Sequence, residues 1–71
     1  MTHYCILKTT EDGSEYGARF HRSWKWIEEW TTDTNIITIF NYEQQAKKAF
    51  KSAILNNWEH QIVPVDIMLW S

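Results

Sequence analysis

The sequence predicts an α+β domain: a mixed four-stranded sheet, built from a hairpin and a strand–helix–strand unit, with one long amphipathic helix on one face and a short second helix. Alternating polar and apolar residues on both sides of Asp12-Gly13 predict the hairpin. Apolar residues at helical spacing over residues 41–57 predict the long helix. Apolar segments on both sides of that helix predict two strands, and if these strands pair in parallel, their crossover should be right-handed.

The composition indicates a single domain, residues 1–71, near the lower size limit for independent folding. Its formal net charge is −2, too small to indicate nucleic-acid binding by bulk charge. The one cysteine, Cys5, has no partner for an intramolecular disulfide, which suits a reducing cytoplasm. The chain shows neither a signal peptide nor an apolar run of about 20 residues. We therefore expect a cytoplasmic protein, complete as it stands, that is not inserted in a membrane.

The first strand is predicted over residues 3–9, HYCILKT. Side chains alternate across a strand, so Tyr4, Ile6 and Lys8 face one side, and Cys5 and Leu7 the other. The Asp12-Gly13 pair that follows is a strong hairpin signal. The sequence therefore predicts that a second strand returns directly beside the first.

Residues 15–31 allow two interpretations. A single helix aligns five apolar side chains in one stripe: Tyr16, Phe20, Trp24, Ile27 and Trp30. A strand after the turn is equally consistent with the alternation of residues 15–21, and Gly17 would weaken a helix interior by about 1 kcal/mol. We favour a strand over residues 15–21, followed by a short helix with Ser23 as its N-cap.

The second half of the chain predicts strand, helix and strand. Residues 35–40, NIITIF, are β-branched or aromatic almost throughout, as in a strand covered on both faces. The long helix follows, with Asn41 as N-cap and an apolar stripe: Tyr42, Ala46, Ala49, Phe50, Ala53, Ile54 and Trp58. The last strand lies in QIVPVDIMLW, and it begins at Pro64 or lies at a sheet edge, since proline donates no hydrogen bond.

Three of the five tryptophans lie in SWKWIEEW, residues 23–30. In a helix, Trp24 and Trp30 share the buried side and Trp26 faces water. In a strand, all three share one face. Either way the segment exposes an aromatic side chain, and tryptophan is the residue most enriched at interface hot spots.

We therefore predict a protein-docking surface. Its anchors are Trp26, Trp30 and the penultimate Trp70, and its charged rim is Arg22 and Lys25. The expected partner is a larger protein or ribonucleoprotein, bound by a monomer or a homodimer. A pure core role for these rings is the competing interpretation.

The sequence predicts neither catalysis nor a bound metal or cofactor. Metal-ligand spacing is not found among Cys5, His3, His21 and His60, which are scattered along the chain. Cys5 is predicted to be a small core residue. Glycine-rich phosphate loops and paired carboxylates with a companion base are missing from the sequence.

Nucleic-acid binding is the alternative function. Basic residues lie among aromatic ones near the middle of the chain, as in a stacking platform, and others flank the long helix. The candidates are Arg19, Arg22, Lys25, Lys47, Lys48 and Lys51. Solubility explains the same residues, because long basic side chains cover apolar neighbours.

Two stretches, YCILKTTEDGSEYG and IFNYEQQAKKAF, resemble the strand–turn–strand and strand-then-helix segments of small bacteriophage accessory proteins. The resemblance covers about half of the chain. It implies a short, early-expressed protein that binds a host protein in the host cytoplasm. Anti-CRISPR and other anti-defence inhibitors belong to this class.

Overall fold

The computed structural model describes residues 2–65, and this part of the chain forms four strands and one helix. In chain order these are β1 (His3–Thr9), β2 (Glu15–Phe20), β3 (Ile27–Thr31), α1 (Glu43–Ser52) and β4 (His60–Val65). The strand order is β3-β2-β1-β4, and every neighbouring pair is antiparallel. The domain is α+β, but the predicted mixed sheet with a parallel strand–helix–strand unit is wrong.

The predicted hairpin is confirmed. β1 and β2 pair from Thr9↔Glu15 to Leu7↔Gly17. Gly13 adopts a φ of 86° in the connecting turn, a conformation that glycine adopts without steric cost. The turn closes because the Ser14 carbonyl accepts a hydrogen bond of 2.9 Å from the Thr10 N–H.

The short helix predicted after Ser23 is wrong, because residues 27–31 form β3. A tight turn reverses the chain, with Trp24 in the left-handed region at a φ of 61° and the His21 N–H bonded to the Trp26 carbonyl. β3 then pairs with β2, with an irregularity between Arg19 and Phe20. The backbone N–H and C=O groups of β3, which a helix would have paired internally, are paired instead with those of β2.

Residues 35–40, predicted as a strand covered on both faces, instead bond to two different strands. The last residue pair between β1 and β2 is Leu7↔Gly17. Just past it, the Thr38 N–H donates to the Ala18 carbonyl at 3.0 Å. Two residues later, Phe40 and Tyr4 exchange both backbone hydrogen bonds, at 2.7 and 2.9 Å. The segment therefore lies between β1 and β2 where these two strands stop pairing. It forms hydrogen bonds to both of them and not a continuous ladder to one.

α1 is shorter than the predicted helix over residues 41–57. Its N-cap is Tyr42 and not Asn41, and it ends at Ser52. The Ile54 N–H donates to the Lys51 carbonyl and the Leu55 N–H to the Phe50 carbonyl, which is the Schellman pattern. Ile54 holds the left-handed position at a φ of 55°. The apolar stripe is cut short there, so Ile54 and Trp58 lie on the surface.

β4 is the last strand in the order, and Pro64 pairs with Tyr4 of β1. The edge position of Pro64 agrees with one of the two predicted placements. The predicted continuation of this strand beyond Val65, with Trp70, lies outside the described residues.

Two apolar clusters lie on opposite faces of the sheet. The cluster under α1 consists of Ile6, Ala18, Phe20, Phe40, Ala46 and Ala49. The cluster on the other face consists of Cys5, Ile37 and Val65, so residues 35–40 supply side chains to both. Within residues 2–65, no helix has the length and apolarity needed to cross a membrane.

Candidate functional site

The turn between β2 and β3, residues 21–26, is hereafter the Trp turn. Its ends are joined by the bond of 2.9 Å from the His21 N–H to the Trp26 carbonyl. The Ser23 N–H donates to the His21 Nδ1 at 3.1 Å, and the Ser23 Oγ lies 2.8 Å from the same nitrogen. Nδ1 therefore accepts the hydrogen bond from the Ser23 N–H. These bonds hold the Trp turn in one shape.

The two tryptophans of the Trp turn have different surroundings. The Trp24 ring packs against Phe40 with centroids 5.1 Å apart and planes at 71°, and it is 38% exposed. The Trp26 ring stacks on His21 with centroids 3.9 Å apart, and it is 51% exposed. Trp24 is thus partly anchored in the core, whereas Trp26 is supported by one ring and otherwise faces water.

Of the two predicted anchors within residues 2–65, Trp26 is the one on the surface. Trp30 is half-buried: it stacks on His60 at 5.2 Å, and the Lys8 Nζ lies 5.6 Å from its ring centroid. Trp70 lies outside the described residues. The predicted rim residues, Arg22 and Lys25, are both exposed on the Trp turn.

A groove of about 410 Å³ lies between the Trp turn and α1. It is hereafter the basic groove, and its lining consists of Ser23, Trp24, Lys25, Gln45, Lys48, Ala49 and Ser52. Lys25 stands on the turn and Lys48 on the helix, and neither forms an ion pair within residues 2–65. The Gln45 Oε1 is buried and has no hydrogen-bond partner there.

Charge is segregated over the molecule. Five of the seven lysines and arginines lie on the Trp turn and α1: Arg22, Lys25, Lys47, Lys48 and Lys51. The one acidic residue on those two elements, Glu43, lies 3.5 Å from the Lys47 Nζ. On the sheet, Arg19 is paired with Glu29 at 3.4 Å. The Trp turn and α1 therefore carry an excess of positive charge although the whole chain is negative.

A second exposed aromatic lies in the connection from α1 to β4, residues 53–59, hereafter the Trp58 loop. Trp58 is 95% exposed and Ile54 is 90% exposed. The Asn56 Oδ1 accepts hydrogen bonds from the Trp58 and Glu59 N–H groups, at 2.9 and 3.0 Å. The Glu59 carbonyl accepts from the Thr9 N–H at 2.8 Å, which ties the loop to the hairpin.

The Trp58 loop borders a groove of about 450 Å³ between α1 and β4, lined by Lys47, Phe50, Asn57, His60, Gln61 and Ile62. Sequence reasoning missed Trp58 because the residue continues the helical apolar stripe. The available signal was Asn56-Asn57, which marks the end of a helix before Trp58 is reached.

Residues 2–65 bring no three His, Cys, Asp or Glu side chains together as metal ligands. Cys5 is fully buried, and burial raises the pKa of its thiol to about 11. It is therefore protonated and shielded at neutral pH, unlike a catalytic thiolate.

No protein-family model, curated protein or solved structure matches this chain. The resemblance of residues 4–17 and 39–50 to phage accessory proteins stays a prediction. The two exposed aromatic surfaces and the basic groove are the features from which a function is inferred.

Proposed function

We propose that this protein is a small non-enzymatic binding domain that docks on a larger protein through exposed tryptophans and inhibits it by covering its surface. The observation that carries the proposal is Trp58, which is 95% exposed in a loop held by hydrogen bonds at both ends. A tryptophan this exposed in a chain this small leaves a large apolar area in water.

The Trp58 loop is ordered before any partner arrives. Asn56 fixes the backbone at Trp58, and the Schellman bonds fix the backbone at Ile54. Ile54 is held in the left-handed region, which is unfavourable for a β-branched residue. Because the loop is already ordered, binding loses less conformational entropy than it would with a mobile loop.

The Trp turn provides a second contact. Trp26 is half exposed over His21, and Arg22 and Lys25 beside it supply the charged rim predicted from the sequence. Rim charges of this kind raise association rates and favour a partner of opposite charge. We accordingly propose a partner with an acidic surface facing the Trp turn.

The narrower form of the proposal is a phage-encoded inhibitor of a host-defence protein or ribonucleoprotein, acting in the host cytoplasm. Two features support it: the resemblance of the hairpin and the helix segment to phage accessory proteins, and a lone cysteine that is buried.

The test is affinity capture from a bacterial lysate followed by calorimetry with the purified partner. We expect Trp58→Ala to weaken binding by about 2 kcal/mol or more, as for a hot spot, and Trp26→Ala to weaken it as well. Tyr42→Ala is the matched control, because Tyr42 is an aromatic residue that is 64% exposed outside both contacts. If both tryptophan variants keep their fold by circular dichroism and bind with full affinity, the docking surface is wrong.

A further inference from the structure

We propose that the basic groove binds a single strand of nucleic acid, with backbone phosphates at Lys25 and Lys48 and a base against Trp24. This function goes beyond protein docking and uses different residues from the Trp58 loop. Two features of the groove carry it: a lysine on each wall that forms no ion pair within residues 2–65, and a partly open indole ring.

The first feature is the positive charge on both walls of the basic groove. Lys25 on the Trp turn and Lys48 on α1 line one groove, and neither is neutralised by a carboxylate within residues 2–65. Like charges on facing walls repel each other, and an anion placed between them removes that repulsion. Arg22 and Lys51 are also exposed on these two elements and extend the positive potential beyond the groove.

The ring of Trp24 distinguishes a nucleotide from a simple anion. Trp24 is 38% exposed and is held by Phe40, so it offers a fixed surface for stacking. A nucleotide brings a phosphate and a flat ring in one unit, and so meets both features.

The size of the groove favours a single strand. At about 410 Å³ it has the volume of a small-ligand site, too small for a duplex. Stacking on Trp24 also requires a base that is free of its own stack. Because the chain as a whole carries a charge of −2, the contact is confined to a few phosphates, and the affinity should fall only moderately with salt.

Fluorescence anisotropy tests the proposal with labelled oligo-dT and oligo-U of about 12 nucleotides, within the site sizes of small single-strand-binding domains. We expect micromolar binding at low salt, and a slope of log K against log salt near −1.4, from about −0.7 for each of two neutralised phosphates. Lys48→Gln should weaken binding by roughly tenfold at low salt and reduce the slope by about 0.7.

Lys51→Gln is the matched control: it removes the same charge from the same helix, at a residue that does not line the groove. A much smaller effect of Lys51→Gln supports the groove, whereas equal effects of the two variants overturn it in favour of diffuse attraction. A labelled oligo-glutamate bound as tightly as oligo-dT would reassign the groove to an acidic protein. No binding of either oligonucleotide at micromolar protein and low salt removes the proposal.

The same titration separates this inference from protein docking. Trp58→Ala should leave oligonucleotide binding unchanged, because Trp58 does not line the basic groove. If the protein captures a partner but does not bind the oligonucleotides, the nucleic-acid proposal is rejected and protein docking stands. If it binds the oligonucleotides but captures no partner, the docking proposal is rejected instead.

Discussion

Gly17 of β2 lies directly under Ile37, so closely that a Cβ atom at position 17 would overlap the Ile37 Cγ2. Ile37 belongs to the cluster on the sheet face opposite α1, and Gly17 is the residue over which it packs. A glycine in the interior of a strand thus has a specific role here: it admits the segment that covers this face.

Replacing Gly17 with alanine should destabilise the domain by about 1–3 kcal/mol, because the added methyl group overlaps Ile37. Urea unfolding measures the change. The matched experiment is the same substitution in an Ile37→Ala background, where the clashing Cγ2 is removed. The two changes should be strongly non-additive, and simple additivity would show that Gly17 acts through backbone freedom and not through packing.

Trp30 and Trp26 should respond differently to truncation. Trp30→Ala should lower the free energy of unfolding by about 2 kcal/mol, since the ring is half-buried against His60 and Lys8. Trp26→Ala should lower it by less than about 1 kcal/mol, because Trp26 is half exposed and stacks on one ring. Equal losses in urea unfolding would show that both rings are structural and would weaken the case for Trp26 as a contact.

Ile54→Gly should stabilise the domain by about 0.5–1 kcal/mol. The residue is in the left-handed region and 90% exposed, so glycine relieves backbone strain without loss of burial. Thermal unfolding measures the gain. Ile54→Ala removes the same side chain but keeps a Cβ in the left-handed position, and it should stabilise less than glycine. If alanine matches glycine, strain at this position is not the cause.

Asp12 provides a test of pH dependence. The Thr10 hydroxyl and then the Ser14 N–H donate to its carboxylate and lower its pKa to about 2. Because the folded pKa lies below the unfolded value of about 3.9, the stabilisation is present above pH 4 and is lost as the pH falls towards 2. An NMR titration of the carboxyl carbon should give the low value, and Thr10→Val should raise it. Thr9→Val, one residue away, should leave it unchanged.

The hairpin was predictable because its determinants are local. The alternation of residues 3–9, the Asp12-Gly13 turn and the alternation of residues 15–20 all lie within one short stretch of chain, and β1 and β2 pair across it. The exposure of Trp26 was also predicted, although from a helical interpretation of residues 23–30 that is wrong: Trp26 is exposed because it lies in the Trp turn. Arg22 and Lys25 are exposed, as charged side chains usually are.

The remaining elements could not be predicted from their own patterns. Residues 27–31 form a strand because they pair with β2 across the Trp turn, and that turn carries no Asp-Gly or Asn-Gly signal. The exposed position of Trp58 depends on where α1 ends, and Ala53 and Ile54 end it in conformations that no sequence signal at those residues favours.

By itself, the sequence determined an α+β domain with an N-terminal hairpin, an amphipathic helix and more aromatic side chains than its core could bury. The tertiary structure alone decided that residues 35–40 join two strands instead of forming one, that Lys25 and Lys48 line the same groove, and that Trp30 is half-buried while Trp58 is exposed. The physical reason is that periodicity reports which face a side chain takes on its own element, whereas these outcomes depend on hydrogen bonds and packing between residues far apart in the chain.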